Sequence, residues 1–332
     1  MDSDAPRPAS TAAIWAGMVV LYFVWGSTYL GMRFAIESMP PFLMAASRFL
    51  ISGIVLYVWR RQSGDPAPTR THWKSAAVIG LFLLLGGNGG VVWAEQRIPS
   101  GIAALLVGAT PLWFVILDAL LRRFAPQRAT TRSLPGWAAL VGLATGFGGI
   151  VLLISPTDLA GLGGRIDLLG GVVVVLAALS WSAGSLYSRT AVLPASPLLS
   201  PAMEMIVGGV ALGLLGTFTG EWSRVDLAAI TARSWAGLGY LVVFGSLVGY
   251  VTYTWLLRAA PTTLVSTYAY VNPVVAILVG NLLAQEPLTP RVLISALIIL
   301  GSVVIINARR PKRKSTPTES NSSSEFQDAQ TR

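Results

Sequence analysis

The sequence contains no cysteine, a single histidine and only 12% charged residues in a chain of 332. Without cysteine there can be no disulfide, no thiolate nucleophile and no thiolate metal site. The lone histidine, His72, stands beside Trp73 at the entrance of an apolar run and reads as an interfacial residue, not a ligand or proton shuttle. Enzymes embedded in membranes need His, Asp, Glu or Cys clusters near one face for acid/base or metal chemistry, and none is spelled here. A phosphate-binding glycine loop followed by Lys and Ser or Thr is also missing, so nothing points to nucleotide hydrolysis. No cofactor and no metal are expected. A signalling role would call for a soluble partner domain, and the short connections leave no room for one.

What is abundant is apolar surface. Hydrophobic residues make up 53% of the chain and the mean hydropathy is +0.64, whereas an average soluble domain is about 25% charged. The chain is therefore read as an all-α integral membrane protein, whose partner is the lipid bilayer; monomer and homodimer are both left open. The net charge of +9 would suggest nucleic acid in a soluble protein, but the positive residues sit between apolar runs and in the tail. No nucleic acid is expected.

Crossing the hydrocarbon takes about 20 apolar residues. That ruler finds ten spans, at 12–32, 41–60, 74–95, 99–121, 134–155, 168–189, 198–219, 234–257, 262–284 and 291–308. Residues 1–11 form a cytoplasmic tail without the basic start of a cleaved signal peptide. Residues 309–332 read as a cytoplasmic tail, basic at first and then polar and disordered. With the N-terminus inside, fifteen Lys and Arg fall on inner segments, among them Arg60, Arg61, Arg122, Arg128, Arg132 and Arg309. Six fall outside: Arg33, Arg97, Arg165, Arg224, Arg233 and Arg291, several offset by acids such as Glu95, Asp158, Glu221 and Glu286. This bias places both termini on the cytoplasmic side of the membrane.

The chain also repeats itself. Shifting it by the distance from Trp25 to Trp181 superposes Arg33 on Arg189, Pro41 on Pro197 and Gly53 on Gly209. A slightly longer shift, from Trp73 to Trp235, superposes Gly87 on Gly249, Trp93 on Trp255, Pro99 on Pro261 and Pro111 on Pro273. Residues 12–155 and 168–308 thus form two five-helix repeats. Five is odd, so the second repeat is inverted in the membrane. Inverted repeats are the architecture of many secondary transporters, with the substrate site near the midplane between them.

The fourth and ninth spans carry the unusual chemistry. Each opens on a proline and holds a second one, Pro111 or Pro273, about 18 Å further in, near mid-bilayer. There a proline frees the carbonyl one turn earlier, Val107 or Ala269, which needs a partner or a wet cavity. Thr110 and Asn272 precede the two prolines, and Ser266, Thr267, Tyr268 and Tyr270 add polar groups to the ninth span. The first span contributes Trp25, Ser27 and Tyr29, the third Asn88 within a run of glycines, the sixth Trp181 and Ser185, and the eighth Tyr250 and Tyr253. These residues, with Pro111 and Pro273, are the candidates for the lining of a substrate cavity; packing at helix crossings is the competing reading for the small ones. Charges inside spans are costly and mark function. Arg48 and Glu204 are repeat-equivalent and opposite in sign, which makes them candidates for a cross-repeat ion pair or, for Glu204, proton coupling. Asp118 and Arg122 are four apart and read as a pair at the end of the fourth span.

The segments "VWGSTYLGMRFAIESMPPFLMAASRFL", "IPSGIAALLVGATPLW" and "STYAYVNPVVAILVG" resemble the EamA family of the drug/metabolite transporter superfamily, its YedA-type inner-membrane exporters in particular. The resemblance covers about residues 12–308. It implies a ten-helix basket of inverted repeats, export of small metabolites such as amino acids or amphiphilic compounds, and a cavity lined by helices 1, 3, 4, 6, 8 and 9. Where the family often has a Gly-Glu pair after helix 9, this chain has Gln285 and Glu286, and Glu286 is expected to be structural.

Overall fold

The structure is a computed structural model, and it describes residues 10–124, 137–155, 166–260, 262–265 and 267–308. The charges assigned to residues 128, 132, 158 and 165, the proline at 261, the serine at 266 and both tails lie outside the described residues.

Among the described residues, ten helices carry the chain back and forth. They are α1 (Thr11–Ala35), α2 (Pro41–Gln62), α3 (Arg70–Ala94), α4 (Ser100–Phe124), α5 (Trp137–Ile154), α6 (Leu168–Ser188), α7 (Leu199–Phe218), α8 (Ala232–Tyr240 continued by Leu241–Val248 and Gly249–Ala259), α9 (Thr262–Val265 and Tyr268–Ala284) and α10 (Pro290–Ala308). Seven meet the length and hydropathy of a membrane span, and α5, α9 and α10 are shorter apolar helices. Large apolar side chains such as Phe218 and Leu297 stand on the outside, where hydrocarbon satisfies them. The face on which α1 begins is called the near face below, and the opposite one the far face.

The packing repeats as the sequence does. α1 lies on α9 and α6 on α4; α3 lies on α6 and α8 on α1; α2 and α7 lie on each other, as do α5 and α10. Exchanging each helix with the one five places along maps this set of contacts onto itself, which is a pseudo-twofold relation between inverted halves. The α2–α7 crossing is close because glycine stands on both sides of it. A Cβ on Gly53 would lie 2.9 Å from the Ile206 nitrogen, and one on Gly209 would lie 2.8 Å from Leu50 Cγ.

Two departures from regular helix were not readable in the pattern of apolar residues. Leu81–Asn88 in α3 and Leu241–Val248 in α8 wind as π-helix, at nearly equivalent places in the two repeats. π-turns bulge one side of a helix and often occur at functional sites. Glycines of α3 and α8 are packing residues: a Cβ on Gly87 would lie 3.0 Å from the Trp181 ring, and one on Gly249 in α8 would lie 2.2 Å from Trp25 Nε1. The repeat-equivalent indoles thus rest on repeat-equivalent glycines.

Helix ends are anchored by acids from distant connections. Glu221, in the link after α7, accepts the Phe42 and Leu43 N–H groups at the start of α2, at 3.3 and 2.9 Å. Glu286 accepts from Ser100 N and Oγ at 2.7 Å and from Gly101 N at 3.0 Å at the start of α4, so its structural reading is met. Arg291, counted above as an outer-loop charge, is 2% exposed and donates to the Leu152 and Ser155 carbonyls at the end of α5, both at 2.7 Å. Glu95 and Glu221, counted as loop acids, are also buried, at 0% and 1% exposure. A position in a short link says little about burial when neighbouring helices close over the link.

Candidate functional site

Between the two repeats lies a cavity of about 1040 Å³. It is wide at the near face, where Asp118, Arg122, Arg189 and Ser196 form its mouth, and it ends blindly toward the far face at Met32, Val91 and Ala104. Asp118 and Arg122 approach to 3.9 Å, the four-residue pair the spacing predicts.

Of the residues singled out in the sequence, Trp25 and Tyr29 of α1, Asn88 of α3, Thr110 and Pro111 of α4, and Trp181 and Ser185 of α6 line this cavity. So do Tyr250 and Tyr253 of α8 and Tyr268, Asn272 and Pro273 of α9. Ser27 does not. Its hydroxyl bonds Tyr240 Oη at 2.6 Å and carbonyls of its own helix, because it lies on the face that α1 turns toward α8. Its neighbour Thr28 lines the cavity instead, with its hydroxyl bonded to the Trp25 carbonyl at 2.6 Å. The lining also includes α2 through Arg48 and Phe49, and α7 through Ser200, Pro201 and Glu204, beyond the six helices the resemblance implies.

The two prolines act differently. α4 breaks outright: Ser100–Val107 is followed by a turn, and Thr110–Phe124 starts afresh. The Val107 carbonyl is taken by the Thr110 hydroxyl at 2.5 Å, so this freed acceptor is satisfied locally. In α9 the helix runs through Pro273, and Ala269 lines the cavity. The interruption of α9 lies earlier, at Thr267, whose hydroxyl bonds the Leu264 carbonyl at 2.6 Å and Tyr22 Oη. Asn272 is 9% exposed, and its Oδ1 is buried without a hydrogen-bond partner among the described residues. An unpaired buried amide acceptor is uncommon in a packed interior and marks Asn272 as a polar group of the cavity wall.

An aromatic cluster walls one side. The Trp25 ring lies 5.1 Å from Tyr268 and 6.0 Å from Tyr250, both edge-on, and 5.2 Å from Tyr253, tilted. Tyr253 and Tyr268 meet edge-on at 5.9 Å. Faces and edges of this kind suit planar or cationic groups.

Arg48 and Glu204 both border the cavity but do not pair with each other. Among the described residues no cation lies within ion-pair distance of Glu204, whose Oε1 accepts from Ser200 Oγ at 2.8 Å. Arg48 Nε donates to Ser246 Oγ at 3.1 Å, and its guanidinium lies 4.8 Å from the Phe49 ring. The ion-pair reading is corrected by the crossing geometry. Arg48 precedes Gly53, and Glu204 precedes Gly209, by five residues each, on antiparallel helices that cross at those glycines. At 1.5 Å per residue each is about 7.5 Å from the crossing, in opposite directions. The cavity therefore holds one positive and one negative group at different depths. Among the described residues no group of three or more metal-binding side chains is found.

Two stretches of the chain, residues 11–155 and 168–308, match the model of the EamA-like transporter family. The chain belongs to that family. An EamA relative from Escherichia coli (strain K12), described as an uncharacterized inner membrane transporter YedA, is 36% identical over 295 residues, 88% of this chain and 90% of that one. The uncharacterized transporter YvbV of Bacillus subtilis is 23% identical, covering 92% of this chain and 93% of its own length. Protein PecM of Dickeya dadantii is 28% identical, over 88% of this chain and 93% of its own. A crystal structure whose chain is 20% identical shares the fold, with a TM-score of 0.57 over 91% of this chain and 100% of that one. As an EamA member, the chain is a multi-pass membrane transporter of the inner membrane and not an enzyme.

Proposed function

We propose that this EamA transporter is a secondary exporter of small metabolites, amino acids or amphiphilic compounds, and that it works by exposing one midplane cavity to each face in turn. The observation that carries this reading is the deep cavity between the repeats, open at the near face and blind toward the far face. A pseudo-twofold relation between inverted halves supports it, because swapping the conformations of the two halves would open the other end.

In this reading the near face is cytoplasmic, both termini lie there, and the structure is the inward-open state. Trp25, Tyr250, Tyr253 and Tyr268 hold the apolar or aromatic part of the substrate. Asn272 donates and accepts hydrogen bonds at mid-depth, with Asn88, Trp181, Ser185 and the Thr110–Pro111 turn completing the wall. Arg48 attracts an anionic group. Glu204, which pairs with no cation among the described residues, serves either a cationic group of the substrate or a coupling proton.

The test is flux in proteoliposomes holding purified protein, screened over amino acids and amphiphilic compounds with and without a proton gradient. Transport above that of empty liposomes, accelerated by the gradient and reduced by Glu204→Gln, supports the whole reading. Transport indifferent to the gradient removes proton antiport and leaves the cavity assignment standing.

A further inference from the structure

Each helix that lines the cavity continues past its blind end, and there the packing holds a group that the transport site does not use. On α3 the lining residues Ile79, Leu83, Gly87 and Val91 fall four apart, with Asn88 beside them. The next position on that face, one turn further toward the far side, is Glu95. Its side chain is 0% exposed, and among the described residues neither carboxylate oxygen has a hydrogen-bond partner. Arg33 does not pair with it: Arg33 Nη1 donates to the Glu95 backbone carbonyl at 2.5 Å, not to its carboxylate.

Every packed element contributes to its charge environment. α1 brings Arg33 and Tyr29, α2 brings Arg48, and the link after α9 brings Glu286, a second carboxylate already committed to capping α4. α6 packs on the end of α3 and brings Asp167, which pairs with Arg97 at 3.5 Å. An ionised carboxylate without a hydrogen bond or close cation is not tolerated in such a place; the group is kept by being neutral. Burial first, and Glu286 second, push the Glu95 carboxyl well above its usual range, against Arg33 and Arg48.

We propose that Glu95 is a proton-binding site that locks the far end of the cavity: it carries its proton while that end is sealed and gives it up to far-side water when the end opens. The inference rests on the alternating-access reading above. Its sign is fixed by linkage. The sealed state binds one more proton than the open state, so raising the pH on the far side favours opening. Between the carboxyl's ordinary range in water and its raised value in the seal, the ratio of open to sealed molecules climbs by up to tenfold per pH unit.

The absence of cysteine supplies a clean test. Ala35, at the sealed end of α1, is 0% exposed, while Ser63, in the near-face link after α2, is exposed. The rate at which a maleimide labels A35C, divided by the rate for S63C, is measured from pH 5.5 to 8.5 in nanodiscs; the division removes the thiol's own ionisation. The ratio should rise with pH in the parent background and stay flat in Glu95→Gln, which mimics the protonated form. If Glu95→Gln is not recovered folded, Glu95→Met carries the same expectation. An equal rise in both backgrounds overturns the role of Glu95 and leaves alternating access intact. A35C that never reacts at any pH, while S63C does, overturns alternating access and the proton lock together.

Discussion

Arg48 and Glu204 occupy the same position in the two repeats and stand on opposite sides of the α2–α7 crossing, each facing the cavity and neither facing the other. Two opposite charges in a low-dielectric interior would attract strongly at contact. The antiparallel course of the helices carries them apart instead, one toward the far face and one toward the near face. The cavity thereby gains two separate polar poles where an ion pair would have given one neutral spot.

That separation predicts additivity. Arg48→Gln and Glu204→Gln should each change thermal stability, and the double variant should equal their sum within about 0.5 kcal/mol. The measurement is a double-mutant cycle on unfolding in detergent. A coupling above about 1 kcal/mol would mean that the two side chains do meet.

The indole–glycine contacts predict an asymmetric response. An alanine at Gly249 places its Cβ 2.2 Å from Trp25 Nε1, whereas one at Gly87 lies 3.0 Å from the Trp181 ring. Gly249→Ala must displace Trp25 from its tyrosine cluster and should cost about 1–3 kcal/mol, as overpacking does. Gly87→Ala should cost less. Thermal unfolding reads the cost, and tryptophan fluorescence reads the displaced ring.

Gln285 ends α9 at φ 53°, ψ 33°, the left-handed conformation, and the following N–H of Glu286 reaches back to the Gly280 carbonyl at 3.1 Å. A side chain there costs about 1 kcal/mol relative to glycine. Gln285→Gly should therefore raise stability by about 0.5–1 kcal/mol, seen as a higher melting temperature. A fall in melting temperature would contradict the cap geometry.

Glu286 and Glu221 predict a matching pair of losses. Replacing either by alanine removes hydrogen bonds from a carboxylate to backbone N–H groups at a helix start, worth about 0.5–2 kcal/mol for a cap. Glu286→Ala should be the more harmful, because it also frees Ser100 Oγ. Equal stability of both variants with the parent, in the same unfolding assay, would show that water replaces these carboxylates.

Much of this architecture was legible in the residues themselves. Span lengths gave ten helices, and the Trp, Gly and Pro correspondences gave the inverted repeat, because rare residues at tight crossings are hard to move. The same correspondences named Trp25 and Trp181, which meet equivalent glycines. Other features were not legible, for physical reasons. A π-turn has no apolar period of its own, so Leu81–Asn88 read as ordinary helix. Ser27 and Thr28 are adjacent hydroxyls, and only the rotation of α1 decides which faces the cavity. Glu95 and Glu221 follow helix ends, where a linear reading expects water; the neighbouring helices that bury them are distant in sequence.

The most direct test of the account is the rate of transport by cavity variants, for any compound that the parent protein moves faster than empty liposomes do. Tyr268→Ala, Asn272→Ala and Thr110→Val line the cavity, and Leu297→Ala faces outward at 76% exposure as a control. The account predicts that Asn272→Ala and Tyr268→Ala lower the initial rate by about tenfold or more, on the order of 1.4 kcal/mol. Thr110→Val should have a smaller effect, since its hydroxyl already serves Val107, and Leu297→Ala should have none. Parent-like rates in all three cavity variants would contradict the assignment of this cavity as the transport site.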